Sequence, residues 1–264
     1  MTRSLSALLI GLLVAAGAVA KAQDTLTVDE IVKKTNHTAY YQGKDGSARV
    51  KMVVADKQGR TREKEFTILR RNKDEADGDQ FFYVYFHAPA DERGTVFMVH
   101  KHVGGDDDRW LYLPALDVTK RIAASDERTS FVGSHFFYED VSGRGLDEDT
   151  HELVETTDKF YVIKNTPKKP ASVEFDSFTM WIHKASFIPV KVSFEKGGQE
   201  YRKTEALAVK DIQGYKTVTK SRMSDTNIGG STEMEYSAVK YDSGIPEEIF
   251  TERYLRNPPQ EYVK

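Results

Sequence analysis

The residues best placed to do chemistry lie in one short stretch, HKHVGGDDD, from His100 to Asp108. His100 and His102 are two positions apart, so on a β-strand both rings would project from the same face. Two imidazoles and the carboxylates of Asp106 to Asp108 form a ligand set that transition metals accept. A solvated hairpin turn flanked by two surface histidines explains the same residues and is favoured. A metal-dependent hydrolase is therefore kept as a third hypothesis only.

Two further pairs of reactive residues do not make a catalytic site. Ser134 precedes His135, but neighbours in sequence do not form a triad and G-x-S-x-G is absent, so Ser134 is predicted to cap a short helix. Glu139 and Asp140 could act as general acid and base, although capping or surface roles are favoured at a short helix end. The chain also lacks P-loop, G-x-G-x-x-G, H-E-x-x-H and C-x-x-C motifs. We expect no enzyme activity and no cofactor.

What the sequence does concentrate is bulky apolar side chains. Twelve aromatic residues lie between Phe81 and Tyr138. Most would be ordinary core in a two-layer protein, and the alternative is that some of them line a cavity. Strand alternation gives a predicted set of cavity-lining residues, namely Met52, Phe82, Phe86, Phe97, Trp110, Tyr112, Phe131, Phe136, Phe137 and Trp181.

The elements that would position these residues are mainly strands. Thr27 to Tyr41 is predicted to be a helix that opens with a T-x-x-E capping box. From Ala48 onward the apolar pattern has period two and predicts about ten or eleven antiparallel strands. Ser130 to Val141 is predicted to form one or two helical turns, and Ile245 to Arg256 a short helical turn near the end. The predicted architecture is one strongly twisted sheet or open barrel with a concave face that a single helix cannot cover.

The first 22 residues are predicted to be a secretory signal peptide. Arg3 precedes an uncharged apolar run, and Ala20-Lys21-Ala22 is a small-x-small cleavage pattern. Without Arg3 and Lys21, residues 23–264 keep 36 basic against 41 acidic residues, a net charge of −5, which does not favour nucleic acid as a partner. The chain contains no cysteine, so we expect neither lipidation nor disulfides. The predicted product is a single exported domain, residues 23–264.

Several blocks together resemble the outer-membrane lipoprotein-sorting protein family, whose members are LolA-like. They are WLYLPA at Trp110 to Ala115, KRI at Lys120 to Ile122, and SFVGSHFFYEDV at Ser130 to Val141. IPEEIFTERYL from Ile245 and TVDEIVKK from Thr27 are similar to the family's two ends. The resemblance covers nearly all of residues 23–264. It implies an incomplete antiparallel β-barrel of the LolA/LolB kind, with short helical segments as a lid over an apolar cavity.

The resemblance also implies a function in the periplasm of a Gram-negative bacterium. Carriers of the Lol type bind the acyl chains of lipoproteins, and relatives often accompany inner-membrane exporters of the RND or MMPL type, which suggests other lipids as cargo. In those carriers one barrel arginine bonds to the lid; here Arg49, Arg109 and Arg121 all remain open for that role. The first hypothesis is a carrier of lipoprotein acyl chains or lipids. The second is a non-carrying accessory subunit of such an exporter.

Overall fold

The computed structural model describes residues 26–264, and the predicted signal peptide lies outside them. The described chain forms one sheet of thirteen strands in which every neighbouring pair is antiparallel. The predicted fold class, an incomplete antiparallel barrel, is confirmed. The sheet has thirteen strands, two or three more than the predicted ten or eleven.

The first half of the sheet contains six consecutive strands. They are β1 (Asp45–Ala55), β2 (Thr61–Asn72), β3 (Gln80–Ala88), β4 (Val96–Lys101), β5 (Asp108–Leu113) and β6 (Val118–Ile122). Each pairs with the next along the chain, so this half is built from local connections.

The second half contains the other seven strands. They are β7 (Asp149–Thr156), β8 (Phe160–Pro167), β9 (Ser177–His183), β10 (Pro189–Lys196), β11 (Gln199–Ile212), β12 (Tyr215–Asp225) and β13 (Ser231–Tyr241). The last strand returns to pair with β1, so the strand order is β6-β5-β4-β3-β2-β1-β13-β12-β11-β10-β9-β8-β7.

The two ends of the sheet, β6 and β7, are consecutive in sequence but lie at opposite edges. Residues 123–148, here called the crossing segment, connect them. The crossing segment contains three short 3₁₀ turns and the helix α2 (Tyr138–Ser142). The prediction that Ser134 caps this helix is wrong, because the N-cap residue is Phe137. The backbone N–H of Phe137 instead donates to Asp140 Oδ2 (2.6 Å), and the Ser134 hydroxyl accepts from the Phe136 N–H (3.1 Å).

The N-terminal helix α1 (Val28–Asn36) begins with the predicted capping box. Thr27 N–H donates to Glu30 Oε2 (2.7 Å), and Glu30 N–H donates to Thr27 Oγ1 (3.3 Å). The helix is shorter than predicted because the backbone widens into a π-type turn over His37–Tyr41. Its buried apolar side chains, Ile31 and Val32, pack against Ile163 and Ile182 of the second half of the sheet.

The first half of the sheet is covered on both faces, as the doubly apolar pattern of β3 predicts. Phe82 and Phe86 belong to a cluster on the concave face, whereas Phe81 and Tyr83 point to the convex face. There they pack against the end of the chain, which includes α3 (Arg253–Arg256) and α4 (Gln260–Val263). The convex face of this half is thus closed by the chain itself, and its concave face is the one that can hold a site.

Candidate functional site

Two adjacent cavities lie on the concave face, one of about 340 Å³ and one of about 280 Å³. They are covered by α1, the turn that follows it and the crossing segment. Their walls share six residues, so the two cavities form one divided hollow: Ala39, Tyr40, Asp140, Pro189, Val218 and Ser221. The concave face is therefore not filled by its own side chains.

The first cavity, the larger one, has a mainly apolar wall. β2, β3 and β13 provide inward-facing positions, and the crossing segment provides the side chains opposite them. The apolar lining includes Phe66, Ile68, Phe82, Val84, Phe131, Phe136, Met234 and Tyr236. The strand residues among them occupy alternate positions, so within each strand their side chains lie on the same face of the sheet.

The second cavity lies between α1 and β7 to β12. Its apolar lining includes Val32, Phe178, Met180, Val192, Phe194 and Met223. One end is polar, but its groups bind one another: Arg144 Nε donates to Asp149 Oδ2 (2.9 Å), and the His151 ring contacts Asn165 Oδ1 (2.7 Å). That end is thus a set of paired groups that complete the wall.

Six of the predicted lining residues gather on the concave face. Phe82, Phe131 and Phe136 line the first cavity directly. Three others pack in the same apolar cluster without lining a cavity: Met52, Phe86 and Phe97. Phe131 connects the two groups, since its ring lies 5.4 Å from that of Phe97 and 6.1 Å from that of Phe86.

The other four predicted residues lie elsewhere. Trp110 and Tyr112 are on the convex face with the chain end, because Arg109 and Leu111 take the inward positions of β5. Two more contact cations. The Phe137 ring lies 3.9 Å from the Arg202 guanidinium, and the Trp181 ring lies 4.5 Å from Lys191 Nζ. None of the four lines either cavity.

Four buried basic side chains on inward positions of the sheet hold the crossing segment. Lys64 Nζ donates to the Val132 carbonyl (2.5 Å), and Lys101 Nζ donates to the Ser142 carbonyl (2.6 Å). The other two form ion pairs with acids of the crossing segment: Arg109 with Glu127 (2.8 Å), and Arg202 with Asp140. Each of the four is at most 5% exposed. Burying such cations is costly without partners, so these bonds fix the crossing segment to the sheet.

Of the three arginines left open as a bond to the lid, Arg109 is the one that bonds to the crossing segment within residues 26–264. Arg49 is half-buried and pairs with Glu65 (3.2 Å), and Arg121 pairs with Asp108 at the surface. Sequence reasoning missed Arg202, Lys64 and Lys101. A basic residue two positions from a buried apolar one, as Lys64 is from Phe66, was the available signal.

A further arginine that was missed, Arg70 of β2, lines the first cavity. It donates to the carbonyl of Gly43 (3.2 Å) and also bonds to that of Gln42, which joins the sheet to the chain following α1. Burial lowers the pKa of its guanidinium. It holds backbone carbonyls and forms no ion pair within residues 26–264.

Tyr40 divides the hollow and was also missed by sequence reasoning. It lines both cavities and packs against Gly143 of the crossing segment, where a Cβ would come within 2.6 Å of Tyr40 Cζ. Gly143 has φ +77°, a conformation that glycine adopts without strain. Burial raises the pKa of the Tyr40 phenol above its ordinary range. A tyrosine at the end of a helix carries no sequence signal for this position.

The histidines of the metal hypothesis bond separately. His100 is half-buried and its Nε2 contacts the Phe250 carbonyl (2.7 Å) on the convex face. His102 lies between two carboxylates, Asp79 (3.4 Å) and Asp108 (3.2 Å). Within the described residues no group of three or more His, Asp or Glu side chains is arranged to hold a metal ion.

Comparisons with known proteins agree with this architecture. The crystal structure of a DUF1329 family protein from Desulfovibrio piger has a TM-score of 0.78 at 24% identity, over 86% of this chain and 98% of that one. That of an outer membrane lipoprotein-sorting protein domain from Vibrio parahaemolyticus has a TM-score of 0.76 at 25% identity, over 86% and 97%. A LolA superfamily protein from Nitrosomonas europaea has a TM-score of 0.66 at 20% identity, over 87% and 100%. No curated protein matches the chain.

Between residues 26 and 264, none of the helices has the length and hydropathy that a membrane crossing requires. A family model described as an uncharacterized protein matches residues 78–257, which is more than half of the chain. This range includes the Trp110 to Val141 blocks and most of the sheet. The chain belongs to the family that this model describes, and its fold is the one found in the DUF1329, lipoprotein-sorting and LolA superfamily structures.

Proposed function

We propose that this protein is a periplasmic carrier that shields the hydrocarbon chains of lipoproteins or other lipids within its divided hollow. The observation that carries the proposal is the pair of adjacent cavities on the concave face, with walls that are mainly apolar. Family membership and the Vibrio relative's description as a lipoprotein-sorting domain support it. Export through a cleaved signal peptide belongs to the same proposal.

The free energy of hydrocarbon exposure explains why such a carrier is needed. Each CH₂ group exposed to water costs about 0.8 kcal/mol, so a single long acyl chain is penalised by on the order of 10 kcal/mol. A chain inside the hollow avoids this penalty. Release of the lipid to a receiving membrane or protein also remains feasible, because an apolar wall with few hydrogen bonds does not hold its guest by strong directional contacts.

We propose binding rather than catalysis because the reactive groups near the hollow already have structural partners. Arg144, Asp149 and His151 bind neighbouring protein groups at the end of the second cavity. Arg202 and Asp140 bind each other between the crossing segment and β11. These contacts hold the covers in place and leave the apolar walls to receive the guest.

Filling the hollow tests the proposal. Val218 lines both cavities, so Val218→Trp should displace at least two CH₂ groups of a guest and weaken uptake of a fluorescent fatty acid by more than about tenfold. Val103→Trp is the matched control, because Val103 is 58% exposed and lines neither cavity. Titrations of delipidated protein measure both.

Native mass spectrometry of protein purified from its own periplasm is the second measurement. The proposal predicts co-purified lipid in the wild type and little in Val218→Trp. Absence of lipid together with no uptake in vitro would contradict it. If the protein instead captures an inner-membrane exporter of the RND or MMPL type, and this binding does not depend on lipid, the result would support the non-carrying accessory subunit.

A further inference from the structure

The boundary between the two cavities contains a hydrogen-bonding group that the protein itself does not satisfy. Within residues 26–264 the phenol oxygen of Tyr40 has no hydrogen-bond partner, although the residue's carbonyl accepts from Gln80 Nε2 (2.9 Å). Tyr40 is half-buried and lines both cavities. Because this hydroxyl is not one of the fully buried atoms that lack a partner, it keeps accessible surface and can bond to a guest in the hollow.

A second tyrosine hydroxyl lies close to the same boundary. Tyr236 lines the first cavity, and its hydroxyl donates to Met234 Sδ (3.3 Å), a weak acceptor. Burial raises the pKa of Tyr236, and the neighbouring Ser221 hydroxyl acts in the opposite direction. Ser221 lines both cavities. Three hydroxyl-bearing residues thus meet where the apolar walls divide.

From this geometry we infer that Tyr40, with Tyr236, forms a polar recognition point for the ester or amide linkage of a two-chain lipid, with one hydrocarbon chain in each cavity. The inference rests on the proposed carrier function and names its substrate class. Ester and amide carbonyls are hydrogen-bond acceptors, which a neutral phenol can satisfy as a donor. The linkage joins the chains, so it must lie where the cavities meet.

The position of Tyr40 is suited to this role because it is fixed on both sides. Its ring packs on Gly143, and Lys101 Nζ lies 5.4 Å from the ring centroid. Lys101 is itself held by the carbonyls of Ser142 (2.6 Å) and Gly143 (3.1 Å). A donor held in one place discriminates between guests better than a mobile one, because less entropy is lost on binding.

The test compares a dioctanoyl glycerophospholipid with its dialkyl ether analogue, which has the same chain lengths and headgroup but no carbonyls. The wild type should bind the diester about fivefold to tenfold more tightly than the diether. Tyr40→Phe keeps the ring against Gly143 and should remove most of that preference, and Tyr236→Phe part of it. Tyr85→Phe, on the convex face, should leave it unchanged.

Native mass spectrometry tests the inference that each cavity holds one hydrocarbon chain of the lipid. With the dioctanoyl lipid we expect one molecule per protein at saturation. With a single-chain fatty acid offered instead, we expect two molecules per protein. Equal binding of diester and diether, or an unchanged preference in Tyr40→Phe, overturns the inference and leaves the carrier function standing. One fatty acid at saturation overturns the two-chain assignment in the same way. If neither lipid binds and no fatty acid is taken up, the carrier function itself fails.

Discussion

Two of the covers of the hollow, the crossing segment and α1, are attached by different kinds of contact. The crossing segment is held by four buried basic side chains, and Arg128 adds two hydrogen bonds to Glu174 (both 2.7 Å). Helix α1, by contrast, packs through apolar side chains on Ile163 and Ile182. Among residues 26–264, no side chain of Val28–Asn36 forms an ion pair or hydrogen bond with another element.

This difference indicates which cover moves. Breaking a buried ion pair leaves a charge without a partner, whereas separating an apolar contact costs free energy in proportion to the area exposed. A guest's hydrocarbon chain can replace the apolar contacts of α1 but cannot replace a carboxylate. We therefore expect α1 to open for cargo while the crossing segment stays in place.

The largest effect should come from removing a cation that holds the crossing segment. Arg202→Met removes the buried cation that pairs with the half-buried Asp140, leaves that carboxylate only the Phe137 N–H, and should reduce the free energy of unfolding by about 3 kcal/mol. Urea unfolding followed by tryptophan fluorescence measures this loss. The matched control is Arg222→Met, since Arg222 pairs with Glu233 at the surface and should cost less than about 1 kcal/mol. Equal losses in the two variants would remove the contrast between the covers.

A smaller and more local effect is expected at α1. Ile31 is fully buried, and Ile31→Ala should weaken the docking of the helix by about 2 kcal/mol. Hydrogen exchange of α1 amides should then accelerate about thirtyfold while the crossing segment keeps its protection. Ile228→Ala, at a position 62% exposed, is the control. Equal acceleration in the crossing segment would mean that the two covers open together.

Acid should loosen the crossing segment through Glu174. Burial alone would raise the pKa of this carboxyl, but the hydrogen bonds and charge of Arg128 hold it at about 2. The folded pKa is below the unfolded value of about 4.3, so this stabilisation is complete above that value and is lost as pH falls towards 2. Because the Glu174 side chain is about one-third exposed, we expect this stabilisation to contribute about 1 kcal/mol to the free energy of unfolding.

Glu174→Gln should therefore be less stable than wild type near neutral pH, and the difference should close between about pH 4.3 and 2. Denaturant unfolding across this range measures it. Glu155→Gln, an exposed position, should show no such convergence. A constant difference across the range would assign the effect to packing.

The smallest effect is expected at the N-cap of α1. Thr27→Ala removes the hydroxyl that accepts from the Glu30 N–H and should cost about 0.5–1 kcal/mol of local helix stability. Amide exchange within α1 should increase by a few fold, with little change in global unfolding. Thr27→Ser restores the acceptor and should restore protection. If Thr27→Ala lowered global stability as much as Ile31→Ala, α1 would be part of the cooperative core.

Much of the fold could be predicted because alternation and capping are local properties. The β3 pattern, apolar on both faces, predicted a strand covered on both sides, and Thr27 with Glu30 predicted the start of α1. Other features could not be predicted. The widened turn after Asn36 and the failure of Ser134 to act as a cap depend on contacts with distant parts of the chain.

The candidate site was harder to predict because a residue's face depends on strand register. Phe82, Phe131 and Phe136 line the first cavity, whereas Trp110 and Tyr112 lie on the opposite face of the sheet. A shift of one residue exchanges the two faces, and the sequence contains no independent marker of register in β5. The chain end that covers the convex face supplies that information only in the folded protein.

By itself the sequence determined that the protein is a mainly antiparallel sheet, because period-two alternation and a capped helix are written in neighbouring residues. Only the tertiary structure decided where the concave face remains unfilled, since that depends on how far α1 and the crossing segment extend over thirteen strands. It also decided that Tyr40 divides the hollow. Its ring meets Gly143 about a hundred residues away, and such long-range packing has no local pattern in the chain.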